Sequence, residues 1–131
     1  MERRKKVVVL ATGGTIAGEG RPGDATDYVP GKLSINKIAR AVRGLDEIAD
    51  LEEVQISNLN SDDITSSLWI RLASKINEIS KDDGVDGFVI THGTDTMEET
   101  AYFLHLVVKT DKPVVVTGAM RPSTATSADG P

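Results

Sequence analysis

The chain has 131 residues, 39% of them hydrophobic, with 15 basic against 20 acidic side chains and no cysteine. This is ordinary single-domain size, enough to bury about two-thirds of the unfolded surface, while a net charge of -5 offers no broad basic face to a nucleic-acid backbone. The absence of cysteine excludes a disulfide framework, thiolate catalysis and a cysteine zinc site, and the only histidines, His92 and His105, have no ligand-like spacing, so no metal site is expected.

In chain order, Arg3-Arg4-Lys5-Lys6 reads as a solvated cap on a first strand, Val7–Ala11. That apolar run is too short for a secretory core or a bilayer span, so the chain as written is expected to be cytoplasmic, without a membrane partner. A glycine-rich turn, Thr12-Gly-Gly-Thr-Ile-Ala-Gly18, follows the strand. Residues 18–33 lack periodicity and carry glycines at 18, 20, 23 and 31, which predicts a mobile, lid-like loop. Ser34 is the expected N-cap of a helix with Ile35, Ile38, Ala39 and Val42 on one face, ending where Gly44 supplies a left-handed C-cap.

A second strand is predicted at Val54–Ser57, followed by a helix from about Thr65 to Ser80. Leu68, Trp69, Leu72, Ala73, Ile76 and Ile79 repeat at three- and four-residue spacing, so that helix packs one stripe on the sheet, with Trp69 in the core. Gly87–Thr91 is the third strand. It runs into His92-Gly-Thr-Asp95 and then a helix whose Thr96-x-x-Glu99 reads as a capping box and whose apolar face is Ala101, Leu104, Val107 and Val108. The last strand is Pro113–Thr117, and Ser123–Pro131 reads as an ordered loop heading toward a further element.

Strands alternating with helical spacing predict an α/β fold: an open, mostly parallel sheet in three layers, flanked by helices. In such sheets ligands bind outside the carboxyl ends of the strands. Thr12/Thr15, Asn60/Ser61, Thr94/Asp95 and Gly118/Ala119 all fall just past such ends, and Thr15 and Thr94 are each flanked by a glycine, Gly14 and Gly93. Taken singly these are cap and turn residues; four together describe one polar edge.

The first turn lacks G-x-G-x-x-G spacing, and G-x-x-x-x-G-K-[ST] does not occur, so no nucleotide cofactor is expected. Glycines there let backbone N–H groups approach a carbonyl oxygen gaining charge, which suits acyl transfer, with donors expected near Gly14 and Ala119. A threonine nucleophile needs help losing its proton. Tyr28 and Asp95 are the visible candidates, while His92 suits orienting the turn as well as acid–base work, and Arg121 suits pinning its own turn.

Thr12-Gly-Gly-Thr-Ile-Ala17, Thr91-His-Gly-Thr-Asp-Thr-Met-Glu-Glu99, Gly118-Ala-Met-Arg-Pro122 and Ser127-Ala-Asp-Gly-Pro131 resemble, in that order, the bacterial-type L-asparaginases of the asparaginase/glutaminase family. The wording is most similar to the family's periplasmic type, without its leader. The resemblance implies deamidation of L-asparagine to aspartate and ammonia, with glutamine as a second substrate, through an acyl-enzyme and without metal or cofactor. It implies Thr15 as nucleophile, Tyr28 as the lid tyrosine that assists it, Thr94 and Asp95 as the second threonine and the aspartate that also grips the substrate amino group, and Ser61 as the holder of the α-carboxylate.

Asp62 departs from the Gln, Glu or Ser the family usually carries beside that serine. The resemblance also implies that the family's catalytic lysine and small C-terminal domain lie beyond this chain, which spans an N-terminal portion at residues 1–131. Lys109 and Lys112 are expected in a surface turn and do not replace that lysine. The expected partners are therefore a second copy in a homo-oligomer or a complementary C-terminal chain. Two alternatives remain at this point: an inactive binding or assembly fragment, and the glutaminase-type subunit of a tRNA-dependent amidotransferase.

Overall fold

A computed structural model describes residues 3–130. Four strands, β1 (Lys5–Gly13), β4 (Ala49–Leu59), β5 (Gly87–Thr91) and β6 (Val114–Thr117), form a parallel sheet in the order β4-β1-β5-β6. Between β1 and β4 lie a two-stranded antiparallel ribbon, β2 (Glu19–Gly20) with β3 (Tyr28–Val29), and the helices α1 (Ile35–Ala41) and α2 (Leu45–Ile48). Helix α3 (Ser66–Ile79) joins β4 to β5, and α4 (Met97–Val107) joins β5 to β6.

The two faces of the sheet follow from strand alternation. Val8, Leu10, Phe88 and Ile90 pack with Leu68, Leu72, Ala73, Ile76 and Leu104 of α3 and α4. Val9 and Ala11 face the other way and pack with Ile16, Ala17, Leu33, Ile35 and Ile38. The result is the expected three-layer α/β arrangement. Because β1 connects outward to β4 while β5 and β6 lie on its other side, the connections diverge between β1 and β5, and the crevice that receives ligands opens at the ends of those two strands.

Several local expectations are corrected. Strand β4 runs from Ala49 to Leu59, far beyond Val54–Ser57. Its acidic residues are poor strand formers, but β4 is an edge strand where such side chains reach solvent, and Glu52 pairs with Lys6 at 2.8 Å. Gly44 is left-handed as expected (φ 77), yet it precedes α2 instead of closing α1, whose C-cap is the extended Val42. Ser34 makes no side-chain cap bond; the Ile35 N–H at the start of α1 donates to Gln55 Oε1 of β4 at 3.0 Å.

The capping box at Thr96 does not form either, because the Thr96 hydroxyl donates to the Ser61 carbonyl at 2.8 Å. Trp69 is half-buried where a core position was expected: its ring stacks on Phe103 with centroids 5.4 Å apart. The segment 18–33 contains the β2–β3 ribbon and bonds to the rest of the chain at its two ends. Gly31 N–H donates to Gly14 O at 3.0 Å, Leu33 N–H to Ala17 O at 2.8 Å, Gly23 N–H to Thr124 O at 2.8 Å and Gly20 N–H to Thr124 Oγ1 at 3.1 Å.

Candidate active site

The site grows from the point where β1 and β5 end side by side, Ala11 opposite Thr91. Gly13 (φ 120) and Gly14 (φ 77) turn the chain out of β1 through backbone angles that favour glycine. A Cβ on Gly14 would lie 2.4 Å from the Gly93 backbone, and one on Gly93 would lie 2.6 Å from Ser61 Cβ and Oγ. The corners after β1, β5 and β4 thus touch, and only glycine fits between them.

Thr15 opens a 3-10 turn, Thr15–Ala17, directly after that contact. Its Oγ1 lies 2.9 Å from the Tyr28 hydroxyl, which the ribbon delivers from thirteen residues on. The phenol ring lies against Gly18, where an added Cβ would meet Tyr28 Cδ2 at 2.7 Å. The sequence candidates Thr15 and Tyr28 are therefore brought together.

Across the crevice, Thr94 and Asp95 form the turn between β5 and α4. Asp95 presents an exposed carboxylate, while its N–H donates to Ser61 Oγ at 3.2 Å. Ser61 is only 1% exposed, locked from two sides by Asp95 N–H and by the Thr96 hydroxyl on its carbonyl. Its own hydroxyl proton and its N–H make no hydrogen bond among the described residues. Asp62 is exposed beside it, without a hydrogen bond or ion pair among the described residues.

The expected backbone donors are redistributed. Gly14 N–H is already used on Leu59 O at 2.9 Å, so Gly14 contributes close approach and no donor. The N–H groups of Thr15, Thr94 and Ala119 make no hydrogen bond among the described residues. Ala119 is buried beside Ile16, in a turn held by Asp129, whose carboxylate accepts Arg121 N–H at 2.9 Å and Met120 N–H at 3.1 Å. Those two bonds, Arg121's first, hold the Asp129 carboxyl below the usual carboxylate range. Arg121 pins this turn through Ser127 O at 3.3 Å, the structural role expected of it.

His92 is fully buried. Its Nδ1 lies 2.6 Å from Gly93 O and its Nε2 lies 2.8 Å from Thr100 Oγ1, which in turn lies 2.7 Å from Trp69 Nε1. An indole N–H only donates and a carbonyl only accepts. The outer bonds are thereby fixed, Trp69 donating to Thr100 and Nδ1–H to Gly93 O, and for a neutral ring the middle one follows, with Thr100 donating to a bare Nε2. Burial pushes the imidazole's pKa down, the Gly93 bond only partly opposing it, so the ring is neutral. His92 thus orients the turn and does not reach the crevice as an acid or base.

Sequence reading missed Thr100 and Thr96. The signal for Thr100 was present: it sits four residues before Leu104 on the apolar stripe of α4, a polar side chain on a buried face. Nothing local marked Thr96, whose partner belongs to a different strand end. His105 is exposed on α4, and Lys109 and Lys112 lie on the surface beyond it, tied to Asn77 and Asp82 by Lys109 N–H and Lys112 Nζ. Among the described residues no group of three or more His, Asp or Glu side chains is placed to hold a metal ion, and no helix is long and apolar enough to cross a membrane.

The family model for the N-terminal domain of asparaginase matches residues 6–131. The chain is 54% identical over 125 residues to L-asparaginase 2 of Escherichia coli, covering 95% of this chain and 35% of that protein. It is 47% identical over 129 residues to the glutaminase-asparaginase of Acinetobacter glutaminasificans, covering 98% and 39% respectively. The crystal structure of a probable cytoplasmic L-asparaginase from Campylobacter jejuni superposes with a TM-score of 0.92 at 50% identity, over 98% of this chain and 39% of that one. The chain spans 35% to 39% of the length of these relatives. With the match extending over essentially its whole length, the chain belongs to the asparaginase family.

Proposed function

We propose that this chain supplies the nucleophile-bearing part of an amidohydrolase that converts L-asparagine, and L-glutamine as a second substrate, to the acid and ammonia. The observation that carries the reading is the 2.9 Å contact between Thr15 Oγ1 and the Tyr28 hydroxyl at the point where the connections diverge. Thr15 Oγ attacks the amide carbonyl carbon, and its proton moves to the phenol oxygen as the phenol passes its own proton on. The carbonyl oxygen gains charge beside the unpaired N–H groups of Thr15, Thr94 and Ala119. The C–N bond then breaks, ammonia leaves with a proton, and water hydrolyses the threonyl ester. Asp95 holds the substrate's amino group, the Ser61 hydroxyl proton meets its carboxylate, and Asp62, exposed next to Ser61, is a further substrate-binding residue.

A phenol passes a proton along without keeping it, so the reaction needs an amine or other base behind the Thr94–Asp95 corner. Lys112 Nζ is bonded to Asp82 O, and neither Lys109 nor Lys112 bonds to Thr94 or Asp95 among the described residues. We assign that base to a complementary C-terminal portion, or to a second copy of a longer chain.

The names of the relatives, L-asparaginase and glutaminase-asparaginase, support the substrate class. Titrating L-asparagine or L-aspartate into isotopically labelled chain tests it: amide signals of Thr15, Thr94 and Asp95 shift together, and a titration that moves none of them overturns the reading.

A second reading, an assembly module, is favoured by one feature. A groove of about 660 Å3 lies between α4 and β6, with an apolar floor of Ala101, Leu104, Val114 and Val116 and a polar margin that includes Thr94, Glu98, His105 and Lys112. It lies beside an edge strand with no outer partner among the described residues. Both readings hold together if the chain that fills the groove also brings the base.

A further inference from the structure

The relay from Trp69 to Gly93 crosses three elements to end on a single peptide group. Trp69 starts it on α3, at the half-buried rim of the helix layer, Thr100 carries it on α4, and His92 delivers it to the turn after β5. Thr100 and His92 are both 0% exposed, so no water competes for these bonds. In a trans peptide the C=O and the following N–H point in opposite directions. Holding Gly93 C=O inward against Nδ1–H therefore turns the N–H of Thr94 outward, away from the imidazole. That N–H makes no hydrogen bond among the described residues, as is true of its neighbours Gly93 and Thr96, whereas Asp95 N–H is taken by Ser61.

A threonine on the apolar stripe of a helix is a costly choice unless its hydroxyl is paired on both sides. Here it accepts from the indole and donates its one proton to the imidazole. Without the hydroxyl, Nε2 loses its donor and the ring is no longer held by both nitrogens. We propose that Thr100, backed by Trp69, is a positioning residue: it fixes the neutral Nδ1–H form and the tilt of His92, and through it the Gly93–Thr94 peptide, so that Thr94 N–H is preset toward the crevice. The consequence for substrate rests on the amidohydrolase reading; the hydrogen-bond relay does not.

The test is nuclear magnetic resonance on the 131-residue chain. In the wild type the His92 ring shows a protonated Nδ1 and a bare Nε2. In Thr100→Val, which keeps the shape and removes the hydroxyl, the His92 nitrogen signals and the Thr94 amide shift, and Thr100→Ser restores them. Trp69→Phe retains the stack on Phe103 at a half-buried position; it stays folded and moves the same signals in the same direction.

A role in packing alone predicts a lower melting temperature with the His92 ring and the Thr94 amide unmoved. That result in both variants, or an Nε2–H ring in the wild type, overturns the proposal. L-aspartate titration adds the functional arm: the Thr94 response weakens about tenfold to a hundredfold in Thr100→Val. A wild-type chain that ignores the ligand while its ring and amide behave as described sinks the amidohydrolase reading and leaves the relay standing.

Discussion

Tyr28 reaches Thr15 across a ribbon, and its hydroxyl stops 2.9 Å from the threonine oxygen while its ring rests on Gly18. The two parts of the side chain have separable duties. Tyr28→Phe keeps the ring contact and removes the relay, so it changes the urea midpoint by less than about 1 kcal/mol in stability terms. On the proposed amidohydrolase reading, turnover falls on the order of a hundredfold or more. A Phe variant that keeps full rate removes Tyr28 from the chemistry.

The meeting of Gly14 and Gly93 permits a sharper contrast. Gly14→Ala combines a backbone conformation open essentially to glycine alone (φ 77, ψ -173) with a methyl 2.4 Å from the Gly93 backbone, and destabilises the fold by more than about 3 kcal/mol. Gly44→Ala sits in the milder left-handed helical conformation (φ 77, ψ 3) with nothing within 4 Å, and costs only that backbone term of about 1 kcal/mol. Chemical denaturation of the two variants reads the difference directly; equal losses would contradict the contact between the corners.

The architecture was legible because the strands at Val7–Ala11 and Gly87–Thr91 are apolar on both sides and have no other reading. The polar edge was legible because three strand ends carried hydroxyls or acids within two or three residues, at Thr12/Thr15, Asn60/Ser61 and Thr94/Asp95. What was not legible depends on partners distant in the chain. Thr96 looks like a cap until Ser61, thirty-five residues earlier, takes its hydroxyl. Residues 18–33 look unconstrained until Thr124 accepts two of their N–H groups. Local spacing carries no information about such pairs.

His92 gives stability a definite pH dependence. Its folded-state pKa is pushed below the ordinary value of 6.5 by burial, so in acid the unfolded chain binds a proton that the folded chain refuses. Stability is complete above the unfolded pKa and falls as the pH drops through it. His92→Gln, measured by urea denaturation from pH 8 to pH 5, flattens this slope; an unchanged slope places the titration elsewhere.

Asp129 acts lower on the scale. Its carboxylate is stabilised by the Arg121 and Met120 N–H bonds, and its folded-state pKa is depressed. The stabilisation is present above the unfolded carboxylate pKa and is lost as the pH falls through the folded one. The Met120 and Arg121 amide signals move together in that acidic range, and Asp129→Asn abolishes the transition. Independent movement of the two amides would break the assignment of one carboxylate to both.

The most direct measurement is ammonia release from L-asparagine and L-glutamine by the 131-residue chain, alone and mixed with the C-terminal portion of an L-asparaginase as a separate chain. Silence alone, activity in the mixture and loss of that activity in Thr15→Ala are the results expected of a chain that brings the nucleophile and lacks the base. Activity that survives Thr15→Ala would contradict the account at its centre.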